Sequence, residues 1–165
     1  GTQSFINGVP LFSNLVAFED EHGSAVGVIN LPAINECIWA GRGLGCFADG
    51  EKAYVSNIET LDGCCVVTSG VDYWDSLYFF ESLSKTETTV RTWGDAYGYA
   101  LVATGRVDAM VDPIVNPWDV APMLTIIPEA GGVFTDFKNN ETANGGNALA
   151  ANPALHTLLI DLVND

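Results

Sequence analysis

The sequence predicts a layered α/β (α+β) domain. Three observations carry that expectation: short β-rich runs separated by glycine turns in the first third, alternating strand-like and helix-like segments afterwards, and 48% hydrophobic against 16% charged residues. A chain of 165 residues is about one domain's worth of polypeptide and can bury roughly two-thirds of its surface on folding.

In chain order, Gln3–Asn7 reads as a helix-like segment directly after Gly1-Thr2. Residues 13–20 and 24–31 are β-rich runs joined at Glu21-His22-Gly23, the signature of a hairpin turn. Glu36–Ala40 is a further strand closed by Gly41-Arg42-Gly43, and Gly45-Cys46-Phe47 before Asp49-Gly50 gives another, so this third is expected as an antiparallel meander. Cys64–Ser69 is a buried strand, Tyr73–Leu83 has apolar residues at helix spacing, and Thr88–Thr92 is β-branched. Asp95–Thr104 is expected as a helix closed by Gly105, and Val107–Val111 as a strand. Asp119–Ala130 is expected as one helix stopped by Gly131-Gly132, with Pro122 in its first turn and Pro128 marking a kink or an early end. Val133–Asp136 and Ala148–Ala151 are strands, and Pro153–Val163 is the last helix.

Net charge is −15, from 21 acids and 6 bases, with a pI near 4.1. The basic residues Arg42, Lys52, Lys85, Arg91, Arg106 and Lys138 are scattered singly, so no patch exists to grip nucleic acid or an anionic membrane. No apolar run approaches the ~18 residues of a spanning helix. Cys37, Cys46, Cys64 and Cys65 form no CxxC pair and have apolar neighbours, which suits reduced thiols and a cytoplasmic location better than structural zinc.

Asp119, in Asn116-Pro117-Trp118-Asp119, sits where a helix begins, so it reads either as an N-cap or as a carboxylate presented to a metal ion. Gly1-Thr2-Gln3-Ser4 could offer free backbone N–H groups to an anion. In so acidic a chain, a phosphate needs such donors together with cations. Asp95 reads as an N-cap and Asp112 as a strand end entering a proline turn; should they converge, they favour a cationic group on a ligand. His22 lies in a charged turn and His156 in a terminal helix without an acidic or serine partner nearby in sequence, and both are expected at the surface. Trp93, Trp118, Tyr97 and Tyr99 are expected in the core or a pocket wall. Gly41-Arg42-Gly43-Leu44-Gly45 joins two strands and lacks the strand-to-helix setting of a nucleotide loop.

Gly1-Thr2 through Phe5, Gly8-Val9-Pro10-Leu11-Phe12, Trp93-Gly94-Asp95-Ala96-Tyr97-Gly98-Tyr99, Asn116-Pro117-Trp118-Asp119 and Glu129-Ala130-Gly131-Gly132 together resemble the inositol monophosphatase superfamily, across essentially the whole chain. The Gly-Asp-Ala-Tyr-Gly-Tyr stretch is most similar to its histidinol-phosphate phosphatase branch. The resemblance implies a layered αβαβα sandwich that hydrolyses small phosphate monoesters, most specifically histidinol phosphate to histidinol and phosphate in histidine biosynthesis, with two or three Mg²⁺ ions. Inositol or another sugar phosphate is the alternative substrate, and a non-catalytic binding domain the alternative of another class.

By the same resemblance Asp119 is a metal ligand, the backbone of Gly1 and Thr2 binds phosphate, and the Thr2 hydroxyl helps hold the attacking water. Gly94, Asp95, Ala96 and Asp112 line the alcohol side, where two carboxylates suit a cationic amine or imidazole better than a neutral polyol. Members of the family carry an Asp-Pro-x-Asp before this Gly-Thr and a Glu-Glu pair farther upstream. The sequence is therefore expected to be the C-terminal two-thirds of one phosphatase domain, with about 1–60 the remainder of its first sheet region and about 61–165 its C-terminal α/β region. The intact protein is expected to be a homodimer. This stretch alone is expected to be inactive, with an exposed apolar face where further helices would pack.

Overall fold

The computed structural model describes residues 1–165. After a one-turn helix α1 (Thr2–Ile6), five strands follow one another in space as they do in sequence: β1 (Asn14–Asp20), β2 (Gly23–Leu31), β3 (Glu36–Gly41), β4 (Gly45–Ala48) and β5 (Glu51–Ala53), all antiparallel. Gly23, at φ +99°, makes the first turn possible, and the N–H of His22 donates to Asp20 Oδ1 at 2.8 Å.

A strand alternates faces, so this sheet has two different sides. Ile29, Leu31, Ile38, Ala40 and Cys46 are fully or almost fully buried on the inner one. Val16, Val28, Trp39 and Phe47 align across the strands on the other, with Trp39 stacked on Phe47 at 4.5 Å. Val16 and Phe18 are 56% and 59% exposed, which locates the expected uncovered apolar face.

The second sheet has the order β7–β6–β8–β10–β9, from β6 (Cys65–Val67), β7 (Thr89–Arg91), β8 (Ala109–Asp112), β9 (Val133–Thr135) and β10 (Ala148–Ala151). β6 pairs in parallel with β7 and β8, and β10 runs antiparallel to β8 and β9. Between the sheets lie α3 (Asp95–Ala103) and α5 (Met123–Glu129), whose Tyr99, Val102, Met123, Ile126 and Ile127 join both inner faces in one apolar cluster. Helices α2 (Tyr78–Leu83) and α6 (Pro153–Leu162) cover the far side of the second sheet through Phe79, Leu83, Leu155 and Leu159. The layers thus run β-α-β-α, four of the five in the anticipated sandwich, and the outer face of the first sheet is uncovered. α3 is apolar all round because it is enclosed on both sides. A Cβ on its Gly98 would lie 2.5 Å from Met110 Sδ and 2.6 Å from the Trp93 carbonyl oxygen.

Several expectations need correction. The anticipated helix 119–130 is two pieces, α4 (Pro117–Val120) and α5, because Pro122 has no N–H to continue the first and instead caps the second. Pro128 lies inside α5, which ends one residue later at Glu129. The helix expected over 73–83 is confined to α2, preceded by a 3₁₀ turn at Val71–Tyr73, since Trp74 leaves the helical path to stack on Phe79 and donate its indole N–H to Thr68 Oγ1 at 3.1 Å. His156 is 5% exposed rather than on the surface: it faces inward from α6, with Nε2 2.8 Å from Thr135 Oγ1, and burial lowers its pKa. Trp93 and Trp118 are 43% and 72% exposed, whereas Tyr99 is buried as expected. All four thiols are free, and burial raises the pKa of each, that of Cys46 to about 11.

The Gly-rich 41–45 turn does bind an anion, but an internal one. The N–H groups of Gly43 and Gly45 donate to the two oxygens of Glu129, each at 2.7 Å, tying the β3–β4 turn to the end of α5. Glu129→Gln places an amide NH₂ against one of these donors. It is expected to lower unfolding free energy by about 1–2 kcal/mol in denaturant titration; an unchanged midpoint would show the clamp to be idle.

Candidate active site

A cavity of about 590 Å³ opens where the start of α1, the end of β8 and the N-termini of α3 and α4 meet. Gly1, Thr2, Gly94, Asp95, Ala96, Asp112 and Asp119, the residues to which the family resemblance gives a role in the site, line this one cavity, whereas Trp93, Tyr97 and Trp118 do not. Ser69 and Asp112 come from the carboxyl ends of the parallel strands β6 and β8, the usual place for a ligand crevice in such sheets. No lysine or arginine lines it. An anion bound there must be met by backbone N–H groups, hydroxyls or cations. Gly1 is the N-cap of α1 without a capping side chain, which leaves first-turn N–H groups unpaired beside the Thr2 hydroxyl.

Two carboxylates line the same cavity, one of them beside Gly1. The N-cap of α3 is Gly94, and Asp95 is the first helical residue, held at φ +54°, a left-handed conformation that aspartate tolerates better than most residues. Its N–H donates to Ser69 Oγ at 2.9 Å, and its Oδ2 lies 3.5 Å from the backbone nitrogen of Gly1. A Cβ on Gly94 would sit 2.2 Å from Ser69 Cα, so only glycine allows the start of α3 to approach β6 this closely.

Asp112 is 2% exposed and heavily solvated by the protein itself. Its Oδ1 accepts from Ser69 N at 2.8 Å and Thr68 Oγ1 at 3.5 Å; its Oδ2 accepts from Ser69 Oγ at 2.9 Å and Tyr99 Oη at 3.3 Å. Burial pushes its pKa from 3.8 to about 6 against these donors, with the nearby Asp95 charge adding to the rise. Burial, reinforced by Asp112, likewise raises that of Tyr99.

The raised value has a definite sign for stability. Between about pH 4 and 6 the folded protein holds this proton more tightly than the unfolded chain, so Asp112 contributes stability at low pH that is lost as pH rises through the folded value. The full swing is on the order of 3 kcal/mol. The thermal midpoint of the wild type relative to Asp112→Asn, which cannot titrate, is therefore expected to fall between pH 4 and 7. Parallel curves would contradict it.

Asp119 is not the N-cap of α4; Asn116 is, and Asp119 occupies the third helical position. Its Oδ2 accepts from Asn116 N at 3.1 Å and Asn116 Nδ2 at 3.2 Å, while the residue stays exposed at the cavity rim. One carboxylate with an unengaged oxygen suits a hard divalent cation. It stands alone, however: no group of three His, Cys, Asp or Glu gathers in residues 1–165, so these residues do not complete a metal centre.

Ser69 and Asn116 escaped the sequence reading, although Ser69 ends a predicted buried strand just before Gly70, where a crevice residue belongs. Asn116 had a signal too: an N-cap residue followed by proline and, three residues on, by an acid is the pattern of a capping box.

The model of the inositol monophosphatase family matches residues 1–165. A histidinol-phosphatase of Chlorobaculum parvum is 38% identical over 169 residues, with all of this chain and 65% of that protein covered. A fructose-1,6-bisphosphatase/inositol-1-monophosphatase of Thermotoga maritima is 37% identical over 168 residues, with the same coverage. The crystal structure of the extragenic suppressor protein suhB from Bartonella henselae superposes with a TM-score of 0.90 at 28% identity, covering 100% of this chain and 69% of that one. The chain thus spans about 65% of the length of these curated relatives.

Proposed function

Because the chain belongs to the inositol monophosphatase family, we propose that it forms the substrate-binding part of a phosphatase that hydrolyses histidinol phosphate to histidinol and inorganic phosphate, a step of histidine biosynthesis. The observation that carries this reading is the pairing of Asp95 and Asp112 in the cavity that Gly1 and Thr2 also line, with no basic side chain among its lining residues. Two carboxylates attract a protonated amine or imidazole, and they gain nothing from a neutral polyol that hydroxyls would not supply equally. Small phosphate monoesters remain the substrate class in either case.

In this reading the phosphate rests on the unpaired N–H groups of the first turn of α1, and the Thr2 hydroxyl orients the attacking water. Water adds to phosphorus in line, the P–O bond to the alcohol breaks, and the alcohol leaves with a proton as histidinol. Gly94, Asp95, Ala96 and Asp112 hold the alcohol part. The family is generally metal-dependent. We assign Mg²⁺ as the ion and Asp119 as one ligand to it, the others coming from outside these residues. The four free thiols support a cytoplasmic location, and no helix is long and apolar enough to cross a membrane.

The test is kcat/KM of the full-length protein for histidinol phosphate and for inositol 1-phosphate at saturating Mg²⁺. At least ~10-fold preference for the cationic substrate is expected from one added charge-assisted contact. Preference for inositol phosphate would transfer the assignment to the second reading, which the name of the Thermotoga maritima relative favours. Absence of both hydrolysis and Mg²⁺ binding would favour a non-catalytic domain.

A further inference from the structure

We propose that Ser69 is a positioning residue: it holds Asp95 and Asp112 so that both face one cationic group, and thereby sets the discrimination between cationic and neutral alcohols. The inference deepens the reading of the alcohol side given above and rests on it.

Ser69 is bonded to both acids. Its backbone N–H donates to Asp112 Oδ1 at 2.8 Å, its hydroxyl donates to Asp112 Oδ2 at 2.9 Å, and the same hydroxyl accepts the N–H of Asp95 at 2.9 Å. The single hydroxyl proton is thus directed at Asp112 and a lone pair at Asp95, so Ser69 acts on a ligand through the carboxylates. Both halves of this bridge meet a specific demand. Asp112 is buried and charged at neutral pH only if its oxygens are well supplied with donors. Asp95 sits at φ +54°, and the bond from its N–H to Ser69 Oγ pins that left-handed residue in place. Gly94 completes the arrangement, since any side chain there would collide with the Ser69 backbone.

The experiment compares kcat and KM of the full-length protein for histidinol phosphate and inositol 1-phosphate, and reads the ratio of the two kcat/KM values. Ser69→Ala is expected to move that ratio at least ~10-fold toward unity, mainly through KM, because a buried acceptor loses a donor and its partner N–H is orphaned. Ser69→Thr keeps the hydroxyl and is expected to restore the ratio to within about 3-fold of the wild type. With Asp112→Asn already present, Ser69→Ala is expected to change the ratio by less than about 3-fold, the non-additivity of residues acting as a unit.

A serine needed only for folding would lower both kcat/KM values together and leave the ratio unchanged, which would overturn the inference. So would independent, multiplicative effects of the two substitutions. The wild-type ratio alone decides which substrate is preferred. A protein that prefers inositol phosphate would remove the histidinol phosphate assignment, while movement of its ratio in Ser69→Ala would still uphold the role of Ser69. A wild-type ratio of one would overturn that role.

Discussion

Asp119→Asn in the full-length protein is expected to lower kcat/KM for phosphate release on the order of 100-fold or more, since charge stabilisation by a held cation is worth several kcal/mol. The substitution is nearly isosteric. An asparagine oxygen can still accept the two N–H groups of Asn116, so the first turn of α4 keeps its bonds and loses only the favourable carboxylate at a helix N-terminus, worth about 0.3–1 kcal/mol. Activity and stability therefore separate: a large kinetic loss with a thermal midpoint close to wild type. The loss should be steepest at limiting Mg²⁺. Full activity of the variant under those conditions would remove Asp119 from the metal-binding role.

The second large effect is expected at Gly94. In Gly94→Ala the new methyl would lie 2.2 Å from Ser69 Cα and 2.9 Å from Ser69 Cβ and Oγ, distances no real Cβ sustains. The nearest obstacle is backbone on a buried sheet, so β6 and the start of α3 must separate. That severs the bonds through which Ser69 joins Asp95 and Asp112. Overpacking of this kind costs about 1–3 kcal/mol, a loss of several degrees in thermal midpoint for a chain of this size. Hydrolysis of histidinol phosphate should fall further than the stability loss explains, because the carboxylates that would hold the alcohol part lose their register. Wild-type kinetics in this variant would mean that the close approach of α3 to β6 does not matter to the reaction.

Glycine and proline made much of the fold legible. Gly23, Gly43 and Gly50 all have positive φ and stand at the meander turns where the sequence places them, and Gly105 closes α3 in the same way. The change from two-residue to helical periodicity after residue 60 marks the second sheet and its helices because each element there buries a definite face. Proline was less transparent at 122, where one residue serves equally as a first-turn proline of a long helix or as a break between two short ones; packing of β2 against the Pro122 carbonyl, which leaves no room for a Cβ on Gly27, accompanies the break.

The candidate site divides along similar lines. Gly1, Thr2, Asp95, Asp112 and Asp119 are spread along the chain, and motif resemblance grouped them before the fold brought them to one cavity. Ser69 was invisible because its importance lies in bonds to residues 26 and 43 positions away. His156 was misplaced for the same reason, its partner Thr135 being 21 residues distant. Trp118 looked like a wall residue from its aromatic character, yet the short α4 turns it outward.

The most direct measurement is a crystal structure of the full-length protein with histidinol and phosphate bound. The account predicts phosphate against the backbone of Gly1 and Thr2, and the cationic part of histidinol within hydrogen-bond reach of both Asp95 and Asp112. Phosphate bound elsewhere, or a cationic group turned away from both carboxylates, would contradict it.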